Sequence, residues 1–303
     1  MDTRRIGVDF GGTKIEIAAL DDEGAILFRH RVPNPGSYDA AIRAVQELVV
    51  GVDARLGQQA TIGVGIPGSI SPATGLVKNA NSTWLNGRTF DRDLVAAVGR
   101  AVRVENDANC FALSEAVDGA AEGLHVVFGV IIGTGCGGGI VVDGRVLTGA
   151  NSICGEWGHN PLPWPRVEEF PMPTCFCGNV GCMERFVAGP SLAEDCDGPG
   201  HYDASSIPER ARGGEQVAVA ALARHADRLA RGLAQIVNLL DPDAIVLGGG
   251  LSNMDHLYRD LPRLLSRNVI TDQVRTRVLR NRHGDSSGVR GAAWLWSKES
   301  RIA

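Results

Sequence analysis

The same short arrangement is spelled twice in this chain, and it limits the fold to a two-part design. Residues 5–27 read as an apolar strand, a Gly-Gly-Thr turn, a second apolar strand, an acidic Asp-Asp-Glu-Gly turn and Ala-Ile-Leu. Residues 125–147 read as an apolar strand, Gly-Thr-Gly, a Gly-rich connection, Ile-Val-Val, an Asp-Gly turn and Arg-Val-Leu. Each is a β-hairpin with a tight Gly/Thr loop and a third strand behind a second turn. Apolar spacing predicts helices over Tyr38–Leu56, 108–116, 215–240 and 289–296, and buried strands over 60–66, 102–104 and 244–247. Strands alternating with helices in both halves point to an α/β fold. The self-similarity points to two lobes of like topology, unless it reflects only the sameness of Gly-rich hairpins. Residues 189–214, rich in Gly, Pro, Ser and charge, read as a mobile loop.

Composition narrows the function. The chain has 303 residues, enough for about two domains with a self-sufficient core. Its 39 glycines are nearly twice the usual share of ~7%, and without any period they are expected in particular loops. A formal charge of −5 with no Lys/Arg run argues against a nucleic-acid or membrane-surface partner. Residues 123–142 lack Asp, Glu, Lys and Arg, but seven of them are Gly, so a buried hairpin fits better than a membrane span. Seven cysteines, an odd count, suit a disulfide framework poorly. With no signal-like N-terminus, a reduced, cytoplasmic protein is expected.

Several motifs carry chemistry. Gly133-Thr134-Gly135-Cys136-Gly137-Gly138 fits G-x-G-x-x-G, yet a strand and turn follow where a dinucleotide site needs a helix, so that reading fails. Asp9-Phe10-Gly11 has the letters of the protein-kinase metal motif but none of its companions. What remains is two Gly/Thr loops from two lobes. Taken singly they are hairpin turns; facing each other, their amides can cradle a triphosphate, with Asp9 placed to hold a hydrated Mg²⁺. Gly249-Gly250, behind a buried strand, is either an ordinary βα turn or a flat bed for adenine. In Glu105-Asn106-Asp107, Asp107 either caps a helix or serves as general base toward a hydroxyl substrate. His159, Cys175, Cys177 and Cys182 form a Cys₃His set suited to structural zinc, with free buried cysteines as the alternative.

Together these residues resemble the ROK family of sugar kinases, and the likeness runs over nearly the whole chain. Asp9-Phe10-Gly11-Gly12-Thr13-Lys14 is similar to the family's first phosphate loop and Gly133-Thr134-Gly135 to its second. Glu105-Asn106-Asp107, Gly155-Glu156-Trp157-Gly158-His159 and the Cys175-to-Glu184 segment resemble its sugar and zinc motifs in order. The resemblance implies a two-lobed actin/hexokinase-like (ribonuclease H-like) ATPase fold with an inter-lobe cleft. Residues 1–115 with 286–303 would form the smaller lobe, and 116–285 the larger lobe with the zinc loop. It implies ATP and Mg²⁺ as cofactors, a homodimer, and sugar contacts from Asn81, Asn106, Asp107, Glu156, His159 and Glu184, with Asp107 taking the proton of the attacking hydroxyl. The phosphate loop begins at residue 9, so the helix-turn-helix of ROK repressors is not expected here. Stretches 65–72, 78–87, 156–164 and 283–296 resemble bacterial fructokinases. They imply transfer to the 6-hydroxyl of fructose, with mannose second. The alternatives are an N-acetylglucosamine or glucose kinase of the family, a non-catalytic sugar sensor, and a zinc-stabilised interaction protein.

Overall fold

Each of the two hairpins is the start of a five-stranded sheet. The computed structural model describes residues 4–296, so 1–3 and 297–303 of the expected smaller lobe lie outside the described residues. The first sheet takes β1 (Arg5–Phe10), β2 (Lys14–Leu20), β3 (Ile26–Pro33), β4 (Thr61–Ile66) and β7 (Val102–Asn106), in the order β3-β2-β1-β4-β7. Between them lie α1 (Tyr38–Leu56), the ribbon β5 (Ser69–Ile70) and β6 (Val77–Lys78), and α2 (Phe90–Val98). The second sheet takes β8 (Val126–Ile132), β9 (Cys136–Val142), β10 (Arg145–Val146), β11 (Ala244–Gly248) and β12 (Arg277–Arg280), in the order β10-β9-β8-β11-β12. The topologies coincide: an antiparallel meander of three strands, then two strands added in parallel to its first. Around the second sheet stand α4 (Glu184–Val187), α5 (Gly189–Asp197), α6 (Ile207–Arg212), α7 (Gln216–Leu240) and α8 (Asp255–Leu265). No described helix is long and apolar enough to cross a membrane.

Two helices, α3 (Asp107–Val117) and α9 (Ser287–Trp294), pack against each other and against the two sheets. The expected division after residue 115 falls inside α3. Backbone meets backbone in this seam. A Cβ on Gly7 or Gly63 would sit 1.9 or 1.8 Å from the carbonyl oxygens of Val289 and Ala292, and one on Gly291 would sit 1.6 Å from that of Cys110. On the other sheet, a Cβ on Gly129 would press on Ala112 of α3. The glycine excess was expected in loops. Part of it instead lies in strands and a helix, where only a hydrogen lets elements approach this closely. Gly291→Ala should therefore lose on the order of 3 kcal/mol, the upper end of overpacking costs, read as a lower Tm. Gly51→Ala, in α1 with nothing within 4 Å of its would-be Cβ, should raise Tm slightly by removing a helix-interior glycine. Equal Tm values for the two variants would contradict the seam.

Residues 189–214 are not a loop. Pro190 opens α5, which buries Ser191, Leu192, Ala193 and Cys196, and α6 buries Ile207. Their apolar positions are few and small, and Gly198, Pro199 and Gly200 interrupt them. Composition therefore masked two short helices that packing against α7 holds in place.

Candidate active site

A cavity of about 790 Å³ collects groups from seven separate stretches of the chain. Asn81, Asn106, Asp107, Gly133, Thr134, Gly135, Glu156, His159, Cys177 and Glu184, all singled out above, line it. Its volume lies within the range of about 300–1,000 Å³ usual for small-molecule sites.

The β7–α3 junction answers whether Asp107 is a cap. It is Asn106 that caps: its side-chain oxygen accepts from the amides of Ala108 (2.9 Å) and Asn109 (3.3 Å), and its amide donates to the Gly68 carbonyl at 3.1 Å. One Asn106 N–H is left for a ligand. Glu105 braces the turn from behind, accepting from the Asn106 amide, the Asn109 side chain and Thr148 Oγ1. Asp107 begins α3 and faces the cavity, with one carboxylate oxygen accepting from the Ala108 amide at 2.8 Å. Burial, then the nearby charges of Asp9 and Glu156, push its carboxyl up to about 7. Asp9, near the end of β1, is pushed up to about 6 by burial and by Glu16. A desolvated carboxylate with a second acidic group nearby, as Asp107 has in Asp9, favours a bound cation or a proton.

The 155–159 turn is seated by its glycines. A Cβ on Gly155 would lie 2.2 Å from the Gly138 carbonyl oxygen, and one on Gly158 2.0 Å from that of Cys136. Trp157 fills the core behind the turn, edge-on to Phe128 and donating to the Gly137 carbonyl at 3.0 Å. Glu156 and His159 are thereby turned to the cavity. Glu184 Oε2 accepts from the Cys136 amide at 3.0 Å and so abuts the second Gly loop.

His159, Cys175, Cys177 and Cys182 bring their ligand atoms within 4.8 Å of one another. Cys175 Sγ is 3.7 Å from His159 Nδ1, and Cys177 Sγ is 3.6 Å from Cys182 Sγ. Zinc–sulfur bonds of about 2.3 Å at tetrahedral angles place ligand atoms roughly 3.8 Å apart, so the donor set fits zinc. A backbone hydrogen bond from Asn179 lowers the Cys177 thiol to about 7, while burial and the neighbouring thiols push Cys182 up to about 12. Crowded sulfurs that cannot all ionise together are what a dication relieves. The proline-rich stretch 161–174 has a further anchor that sequence reading missed: Glu169 pairs with Arg228 and Arg231 of α7.

The first Gly loop and the Gly249-Gly250 turn do not line this cavity; they border it. Gly11 closes its hairpin with an amide-to-Lys14 carbonyl bond of 3.0 Å, Thr13 accepts from the Asn34 amide at 2.9 Å, and a Cβ on Gly12 would lie 3.4 Å from Ser82 Oγ, beside Asn81. Lys14 begins β2 with an exposed side chain. A Cβ on Gly249 would lie 2.4 Å from the Ile132 carbonyl oxygen, and the Gly250 amide nitrogen is 3.8 Å from the Cβ position of Gly133. Asn79, Thr83, Phe176 and Asn179 also line the cavity. No local pattern marks them, since each faces the site only through the fold.

The model of the ROK family matches residues 5–299. An N-acetyl-D-glucosamine kinase of Yersinia enterocolitica is 38% identical over 299 residues, covering 95% of this chain and 98% of that protein. Among solved structures, a ROK hexokinase from Thermus thermophilus superposes with a TM-score of 0.85 at 31% identity, covering 97% of both chains. A ROK glucokinase from Streptomyces griseus, in complex with glucose and AMPPNP, gives a TM-score of 0.75 at 29% identity, covering 96% of this chain and 98% of that one. The chain belongs to the ROK family.

Proposed function

We propose that this ROK protein is an ATP-dependent kinase that transfers the γ-phosphoryl group to the 6-hydroxyl of N-acetyl-D-glucosamine. The observation that carries the kinase reading is Asp107: half-buried, released from capping by Asn106, and facing a cavity ringed by hydroxyl-binding groups and a Gly loop. Two independent Gly loops and the raised carboxyls of Asp9 and Asp107 count against a mere sensor or interaction protein. Fructose, the acceptor expected from four local stretches, finds no support in the relative described above, whose likeness runs the length of the chain and whose name is N-acetyl-D-glucosamine kinase. The alternative acceptor therefore takes its place.

In this reading the sugar lies between Asn81, Asn106, Glu156, His159 and Glu184, and its 6-hydroxyl donates to Asp107. Asp107 takes the proton as the oxygen attacks phosphorus in line. The amides of Gly133, Thr134 and Gly135 and those of the Gly11–Thr13 loop hold phosphate oxygens from two sides, and Gly249-Gly250 lies against the base. Mg²⁺, when bound near Asp9, neutralises developing phosphate charge. Little covalent help is needed for phosphoryl transfer, so positioning and charge carry the rate. Closure of the two sheet-centred halves over the sugar would exclude water as a rival acceptor. Zinc on His159 Nδ1 and the three sulfurs would fix the 159–184 segment and leave His159 Nε2 for a sugar hydroxyl. The test is turnover: ADP release from ATP should depend on added N-acetyl-D-glucosamine, and its absence would refute the proposal.

A further inference from the structure

We propose that Phe176 and Asn179 form a subsite for the 2-acetamido group of the sugar, an inference that rests on the N-acetyl-D-glucosamine reading above. Phe176 stands between Cys175 and Cys177 and lines the cavity with 79% of its surface exposed. With Ile153 it is one of two large, exposed apolar side chains on a cavity wall otherwise rich in amide, carboxylate and backbone groups. Its ring meets His159 edge to face, with centroids 5.2 Å apart and planes at 83°.

Asn179 lines the same wall. Its main chain is engaged: the carbonyl accepts from the Cys175 amide at 2.8 Å and the amide holds the Cys177 thiol. Its side-chain amide makes no hydrogen bond among the described residues. A metal-ready hairpin thus presents one apolar face and one unused amide side by side. A hydroxyl needs neither the ring nor a paired donor and acceptor. An acetamide uses both: its methyl packs on the phenyl face, its carbonyl accepts from the Asn179 amide, and its N–H donates to the Asn179 oxygen.

Position agrees with chemistry. On a pyranose, C2 lies across the ring from C5, which carries the 6-hydroxymethyl group. With O6 at Asp107, from the β7–α3 junction, the 2-substituent is directed to another wall, and the 175–179 hairpin supplies one. Phe176 and Asn179 are therefore specificity-determining groups that leave phosphoryl transfer itself untouched.

The experiment compares kcat/KM for N-acetyl-D-glucosamine and glucose in the wild type, Phe176→Ala, Phe176→Leu and Asn179→Ala, each with its zinc content measured. Removal of one apolar or hydrogen-bonding contact is expected to lower kcat/KM for N-acetyl-D-glucosamine by roughly tenfold or more, with about twofold or less change for glucose. Phe176→Leu, which keeps an apolar surface, should recover most of the loss. Equal losses for both sugars would overturn the subsite in favour of a structural role for the hairpin. A wild type that prefers N-acetyl-D-glucosamine and variants that keep the full preference would overturn the subsite alone. A wild type with no preference for N-acetyl-D-glucosamine over glucose would overturn both the subsite and the reading beneath it.

Discussion

Replacing Asp107 by Asn is expected to abolish most turnover and, at the same time, to raise thermal stability above neutral pH. The amide keeps the shape of the side chain and still hydrogen-bonds a hydroxyl, but it cannot accept the proton. General-base loss typically lowers kcat by ~10²–10⁴, and KM for the sugar should move little by comparison. The stability effect follows from the raised carboxyl. Folding pushes Asp107 up to about 7, against ~3.9 in an unfolded chain. A group raised in this way contributes stability that is full below its unfolded value and is lost as pH rises through about 7. At pH 8 the wild type therefore carries a buried charge that the Asn variant lacks. The variant's Tm should exceed that of the wild type, with roughly 2 °C for each kcal/mol relieved, and the gap should shrink at pH 5. Calorimetry at the two pH values, alongside kcat, checks both halves. A variant with wild-type kcat would return Asp107 to an ordinary helix residue. A variant with lost kcat and lowered Tm at pH 8 would mean that the carboxylate is held by favourable partners.

The second large effect concerns zinc. Cys182→Ser or Cys177→Ser should lose the metal and raise KM for the sugar, by analogy with the roughly 10–100-fold losses seen when groups around metals are altered. KM for ATP, which the proposed function places at the Gly loops, should change less. The protein should nonetheless stay folded, unlike a zinc finger. His159 and its neighbours are laced to the 181–183 segment without metal: Leu162 donates to the Gly181 carbonyl and Met183 to that of Asn160, both at 2.8 Å. Glu169 independently ties the 161–174 stretch to Arg228 and Arg231. Elemental analysis of protein purified without chelator, paired with sugar and ATP kinetics, measures the coupling. Zinc-free wild type, or a metal-free variant with unchanged sugar KM, would contradict it.

What could be read from the sequence was local. The two hairpins were legible because strand alternation, Gly/Thr loops and Asp/Gly turns repeat in order, and α1 and α7 because their apolar spacing runs for many turns. Candidate site residues were legible at Asn106-Asp107, where polar groups interrupt apolar runs, at His159 through its cysteine neighbours, and at Glu156 only through the family resemblance. Properties that depend on a distant partner were not. That Gly291 must be Gly is a fact about Cys110, nearly two hundred residues away in sequence. That Asn106 and not Asp107 caps α3 is settled by which side chain turns back on the Ala108 and Asn109 amides. Phe176 carries no signal of its own between two cysteines in the sequence, and only the fold brings it to the cavity wall.

The most direct measurement is coupled ADP release with saturating MgATP over a panel of N-acetyl-D-glucosamine, glucose, mannose and fructose, with the phosphorylated product identified by NMR. The account predicts N-acetyl-D-glucosamine as the sugar of highest kcat/KM, at least roughly tenfold above fructose, a margin within reach of one well-fitted substituent, with phosphate on the 6-oxygen. Fructose giving the highest kcat/KM, or no sugar raising ADP release above background, would contradict it.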